Sequence, residues 1–118
     1  MPASLHFTAG PAYAVAEITS LAFLESAEPV LQELHERTRE TGARRLLINL
    51  LDVVGTFGPE EQQIIGLLAY KYLSHLEKVA SLVAPEKLTR ISEGAARKKG
   101  MELRVFTTLP EAVDWLRA

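Results

Sequence analysis

A chain of 118 residues, 47% of them hydrophobic, suits one domain spanning residues 1–118 with an apolar core of its own. The absence of cysteine excludes disulfides, thiol catalysis, iron–sulfur ligation and every zinc site built on thiolate. A formal net charge of −2 gives no overall attraction to nucleic acid or to acidic membranes.

The first segment, Met1-Pro2-Ala3-Ser4-Leu5-His6-Phe7, has no basic stretch followed by a long apolar run, so no signal peptide is expected. Leu5 to Thr8 alternates, Gly10-Pro11 supplies a turn, and Tyr13 to Ile18 alternates again. Two short strands this close in sequence pair only as an antiparallel hairpin. A first helix is expected over Phe23 to Thr41, with Leu24, Ala27, Val30, Leu31 and Leu34 on its apolar side. Pro29 implies that this helix either begins near Ala27 or bends, and Gly42 is a suitable terminator.

Leu46 to Leu51 is almost continuously apolar, the pattern of a central parallel strand covered on both faces. Asp52 is expected to end it, with a loop over Val53 to Pro59. Pro59-Glu60-Glu61 then opens a second helix reaching about Leu76, since proline and acids favour a helix start. Its apolar residues (Ile64, Ile65, Leu67, Leu68, Ala69, Tyr70, Tyr72, Leu73 and Leu76) occupy most of its circumference. Val79 to Ala84 is the next strand. Pro85 starts a third helix that buries Leu88, Ile91 and Ala95 and ends at Gly100. Leu103 to Phe106 is the last strand, and Thr108-Leu109-Pro110-Glu111 matches a capping box before a closing helix. The order β-β-α-β-α-β-α-β-α calls for a single-domain α/β fold, an open mixed sheet with crossover helices.

Charge is unevenly spread: residues 1–77 carry five Lys/Arg against ten Asp/Glu, and residues 78–104 carry seven against three. Lys87, Arg90 and Arg97 would share a helical face, with Lys98-Lys99 at the negative end of the helix dipole. No interleaved aromatics or recognition helix accompany them, so no nucleic-acid partner is expected. The stretch Ile64 to Leu76 is broken by Gly66, Lys71, Ser74 and His75 and is too short to cross a bilayer. A cytoplasmic, non-membrane protein is the expectation.

His6, His35 and His75 share no metal-binding spacing. Asp52 is the best acidic candidate, because α/β sheets place ligands beyond strand ends, although it also suits a turn-capping role. Asn49, polar within an apolar strand, needs a partner if buried. Ser20 and Ser81 lack the glycine-flanked turn of a hydrolase nucleophile, and no phosphate-binding loop or His-Glu-x-x-His sequence occurs. The expectation is a protein without a catalytic centre, metal or cofactor.

The strand Arg45-Leu46-Leu47-Ile48-Asn49-Leu50, the acidic turn at Asp52, the apolar helix after Gly58-Pro59-Glu60 and the ending Glu102 to Leu116, with its Ala-x-x-Trp-Leu helix, resemble the SpoIIAA-like branch of the STAS superfamily. The resemblance covers nearly the whole chain and implies the fold of anti-sigma-factor antagonists. It also implies a phosphorylatable serine or threonine at the start of the helix after the third strand. Thr56-Phe57-Gly58-Pro59-Glu60-Glu61-Gln62 holds no serine there, and Thr56 precedes the expected position. Glu60 could stand where the modified hydroxyl would be, with less charge and fewer acceptors than a phosphate, or serve only as a helix start. Some proteins of this branch are compared with the lipid-carrying CRAL-TRIO fold, in which helices gate an apolar cavity.

The broad apolar surface of the second helix must be covered by the sheet, a subunit partner or a ligand. The expected interaction or ligand surface is Asp52, Phe57, Glu60, Ile64, Leu67, Leu68, Lys71 and Tyr72. The expected function is protein interaction with a regulatory character, self-association as a homodimer being favoured. The alternative is a carrier or sensor of a small apolar molecule or lipid.

Overall fold

The alternating segments near the N-terminus pair as an antiparallel hairpin in the computed structural model, which describes residues 3–118. Met1 and Pro2, at the head of the segment in which no signal peptide is expected, lie outside the described residues. The elements run β1 (Ser4–Thr8), β2 (Ala14–Leu21), α1 (Leu24–Thr41), β3 (Arg45–Val54), α2 (Pro59–Leu73) and β4 (Lys78–Leu82). A 3-10 turn (Pro85–Lys87), α3 (Ile91–Lys98), β5 (Leu103–Phe106) and α4 (Leu109–Arg117) complete the chain. This is the expected α/β order.

Strand order in the sheet equals chain order, β1-β2-β3-β4-β5, and every pair after the first is parallel. Right-handed crossovers that always step in one direction place their helices on one face of the sheet. Accordingly α1, α2 and α3 share a face, where Leu31, Leu34, Ala69, Leu73 and Ala96 pack on Ala14, Ala16, Ile18, Leu46, Ile48, Val79 and Leu103. The opposite face holds α4, whose Ala112 and Leu116 bury Leu47, Ala80 and Leu82. Arg45 donates to the carbonyls of Leu116 and Ala118, and Lys78 Nζ donates to those of Trp115 (2.9 Å) and Ala118 (3.0 Å). Basic side chains from the starts of β3 and β4 thus satisfy the carbonyl end of α4. The Ala-x-x-Trp-Leu ending is explained by this packing.

Several boundaries differ from the sequence reading. Helix α1 starts at Leu24 and runs through Pro29. The missing amide leaves one carbonyl, that of Glu25, without its intrahelical donor, while Leu31 and Leu34 hold the helix to the core on either side of that gap's next turn. Helix α2 stops at Leu73, where the chain turns through Ser74 to bring Leu76 into the core. The third helix is interrupted: Pro85–Lys87 is a separate turn, and α3 begins only after Arg90, which adopts a left-handed φ of 63°. Lys87 and Arg90 therefore do not share a helical face with Arg97. Thr108 does precede α4, but its hydroxyl donates to the Glu111 side chain (2.7 Å) and caps no backbone amide.

The largest correction concerns Asp52. Strand β3 does not end there but continues to Val54, and Asp52 lies opposite Thr19 of β2 and is exposed. Between Glu17↔Asn49 and Thr19↔Asp52, two steps along β2 face three along β3. That extra residue is a β-bulge. The Asn49 side chain holds it, its Oδ1 accepting the Leu51 N–H at 3.0 Å. Without the bulge, strict alternation from Leu46, Ile48 and Leu50 would turn Asp52 toward the helices. With it, Val53 packs against the helical core instead. Asn49 is thus the partner-seeking polar residue expected, and its partner is the strand itself.

Candidate functional site

The helical layer does not close fully over the sheet. A cavity of about 480 Å³ lies between them and opens to solvent at the carboxyl ends of the parallel strands. Ile18, Ile48 and Leu103 reach its inner end, backed by the fully buried Leu34, Leu73 and Val79. Its rim includes Leu21 at the end of β2, Phe23 after it, Phe57 before α2, and Lys87 and Arg90 before α3. The topology accounts for the location: each strand hands its chain to a crossover at this end, and the crevice beyond strand carboxyl ends is where open α/β sheets bind ligands. The small residues Ala27, Gly55, Gly66 and Ala69 are among those that line it. The volume falls in the ~300–1,000 Å³ range of small-molecule sites.

Several of the polar groups that line it are held by partners within the protein. Gln62 Nε2 donates to the Phe57 carbonyl at 2.8 Å, and Thr89 donates to Gln62 Oε1. Lys87 Nζ donates to the Val53 carbonyl at 2.5 Å. Arg90 pairs with Glu93 at 3.0 Å. Ser81, on β4, is 9% exposed and faces the cavity. Among the described residues no group of three or more potential metal ligands is assembled, and no helix is long and apolar enough to cross a membrane.

The residues expected to form one surface are divided between four places. Phe57 lines the cavity. Glu60, Ile64, Leu67 and Lys71 face outward on α2, where Ile64 and Leu67 are each 43% exposed and Tyr70 beside them 37%. Leu68 and Tyr72 pack against the helical core. Asp52 joins none of these groups.

Tyr72 and Lys71 also tie α2 to α1. The Tyr72 hydroxyl donates to Glu28 Oε2 at 2.6 Å, Gln32 Nε2 donates to Tyr72 Oη at 3.1 Å, and Lys71 Nζ reaches Glu28 at 3.5 Å. The Tyr72 hydrogen bond, aided by Lys71, holds the Glu28 carboxyl below its ordinary value. Farther along, His35 Nδ1 lies 2.8 Å from the Tyr72 carbonyl and His75 Nε2 lies 2.9 Å from Thr38 Oγ1. The two imidazoles stand edge to face, 5.1 Å apart.

Partial desolvation of the largely exposed His75, reinforced by the nearby His35 and Arg39 and opposed by a Tyr72 backbone hydrogen bond, lowers its pKa from the ordinary 6.5. The folded protein therefore favours neutral His75, and the unfolded chain takes up this proton first as pH falls. The stability held in neutral His75 is present above pH 6.5 and is lost as pH drops through the folded-state value. Urea midpoints should fall between about pH 7.5 and about pH 5, and His75→Gln should flatten that dependence. An unchanged slope in the variant would assign it to other groups.

The strand order, the one-sided crossover layer and the closing helix together define a SpoIIAA-like α/β domain. A solved structure carries the same architecture: an uncharacterised protein of the DUF3478 family with a SpoIIAA-like fold, from Shewanella loihica PV-4. It is 19% identical, with a TM-score of 0.54, over 98% of this chain and 93% of its own. No protein-family model matches the chain, and no curated protein matches it.

The sequence reading carried an apolar ligand as its alternative but did not locate the cavity, because the residues lining it are apolar ones from β2, α1, β3, α2, β4 and β5. Each of them obeys the periodicity of an ordinary core. The one local signal was Ser81, a polar residue at a helix-facing position of a buried strand.

Proposed function

We propose that this domain binds a small apolar or amphiphilic molecule, as a carrier or sensor, with the cavity between sheet and helices as the site. The reading assigns it binding and not catalysis. The observation that carries it is the cavity's size and apolar wall. Sealed and unfilled, about 480 Å³ would cost on the order of 11 kcal/mol at ~24 cal/mol per Å³. That is comparable with the whole ~5–15 kcal/mol stability of a domain. Because the cavity opens to solvent, water relieves that cost in the free protein, and its apolar wall favours an apolar ligand over that water.

Native mass spectrometry of the purified full chain should reveal a co-purified small molecule released by organic solvent. The uncharged dye N-phenyl-naphthylamine should compete with it, and Val83→Trp, which fills the cavity near its mouth, should weaken dye binding by at least about tenfold. Absence of both a co-purified species and dye binding would overturn the carrier reading.

A second reading, self-association, is favoured by Ile64, Leu67 and Tyr70, which leave an apolar ridge on the outer face of α2. The occupant is a second copy of the chain, related by a twofold axis that sets each ridge against the other. Sedimentation velocity tests it, and a monomer at high concentration would discard it. The two readings concern opposite sides of α2 and do not compete for residues.

A further inference from the structure

We propose that two copies of the chain pair through α2 in antiparallel orientation, with Glu60 of each copy opposite Lys71 of the other and Ile64 opposite Leu67. The proposal rests on the self-association reading and adds the orientation of the two copies and the charges that select it.

The outer face of α2 carries a narrow, patterned stripe. Gly66 is turned to α3, Ala69 and Leu73 to the sheet, and Tyr72 to Glu28 of α1. What remains outward is Glu60, Ile64, Leu67 and Lys71, all of them exposed. Their spacing of four, three and four residues is that of a coiled-coil seam. At about 100° and ~1.5 Å per residue, the four fall within an arc of about 60° and extend along about 16 Å of helix.

The order of the stripe, acid, isoleucine, leucine, base, is self-complementary in one sense. A twofold axis perpendicular to α2, passing midway between Ile64 and Leu67, exchanges those two positions and exchanges Glu60 with Lys71. The apolar residues then close the centre of the contact, and an ion pair flanks it on each side. Parallel copies would set Glu60 against Glu60 and Lys71 against Lys71, so charge opposes that arrangement.

Both charges are available to a partner. Glu60 makes no ion pair among the described residues. Lys71 lies 3.5 Å from Glu28 but its side chain is 62% exposed, and Glu28 takes its shorter hydrogen bond from the Tyr72 hydroxyl. An acid in the first turn and a base in the last also suit the dipole of their own helix. The exposed Ile64 and Leu67 between them have no such explanation. A contact this narrow belongs with small interfaces, so the dimer is expected to be weak and sensitive to salt.

Sedimentation velocity of the full chain, at several concentrations and in low and high salt, provides the test. The samples are the wild type, Glu60→Lys, Lys71→Glu and an equimolar mixture of the two variants. Wild-type dimers should weaken as salt rises. Each single reversal sets like charges together on both flanks and should weaken the dimer at least about tenfold. The mixture should restore it as a heterodimer, because every flank again joins opposite charges. That arm separates the interface from any effect of a reversal on its own helix, and both sites are exposed, so both variants should fold. A dimer that survives the single reversals, or a mixture that does not recover it, would overturn the antiparallel register and leave the ridge contact standing. A wild type that stays monomeric at high concentration would overturn the register and the self-association reading together.

Discussion

Replacing Gly66 by alanine is expected to destabilise the protein by about 1–3 kcal/mol, although alanine is the better helix former. Gly66 lets α2 lie directly against the backbone of α3. A Cβ there would stand 2.4 Å from the Ser92 carbonyl oxygen and 2.8 Å from the Ala95 Cβ. Both belong to α3, and the first is backbone, so no side-chain rotation relieves the contact. The intrinsic gain from Gly to Ala is only ~0.5–1 kcal/mol, and the overpacking cost exceeds it. Gly94, in α3 itself, provides the control: a Cβ there meets nothing within 4 Å. Gly94→Ala should stabilise by about 0.5–1 kcal/mol. Urea unfolding of the two variants checks the pair, and a stabilised Gly66→Ala would refute the close approach. Because Gly66 also lines the cavity, the first variant should alter dye binding and the second should not.

The second large effect is expected at Glu93. Strand β5 is the edge of the sheet, and its even-numbered residues face β4, as the bonds from Val79 N to Glu102 O and from Val83 N to Phe106 O show. Val105 therefore points its backbone groups at the open edge. Glu93, only 8% exposed, covers them: its Oε2 accepts the Val105 N–H at 2.7 Å and pairs with Arg90, whose guanidinium reaches the Val105 carbonyl at 3.4 Å. Two α3-side residues thus occupy the pairing groups that an exposed edge would offer another chain. Glu93→Ala should cost about 2–3 kcal/mol, mostly from the stranded amide, because the half-exposed Arg90 side chain can be resolvated. Glu93→Gln keeps an acceptor and should cost less. Denaturant unfolding measures both, and faster amide exchange at Val105 together with concentration-dependent aggregation should mark the alanine variant. An alanine variant as stable as the wild type would show that the edge needs no cover.

Much of this architecture is written locally. The apolar run Leu46 to Leu51 announced a doubly covered strand, and the alternation around Ala14 and Phe7 announced the hairpin, because each depends on neighbours along the chain. The bulge did not announce itself. It depends on one side-chain hydrogen bond, Asn49 to Leu51, and that bond decides on which side of the sheet Asp52 falls. Helix α2 was read correctly as broadly apolar but not apportioned. Gly66 is turned to α3, Ala69 and Leu73 to the sheet, Tyr72 to α1, and Ile64 and Leu67 outward. Those assignments depend on where α1 and α3 lie, which no window of α2 contains. The cavity was least legible, since its walls combine Ile18 with Leu103, and helical or strand periodicity does not distinguish a side chain that fills a core from one that borders a hollow.

The coincidence of strand order with chain order also bears on how the protein comes to be folded. Each new strand pairs with the one just before it, so the sheet can grow by short loop closures as the chain lengthens. Through β4 this growth yields a trough: α1 and α2 stand over the sheet, but Leu103 and Val105 have not arrived to form the far wall. Docking of β5, with α3 and Glu93 sealing its edge, turns the trough into a chamber. The mouth at the strand carboxyl ends stays open when β5 docks, so a guest could enter and leave the finished fold without the last strand loosening.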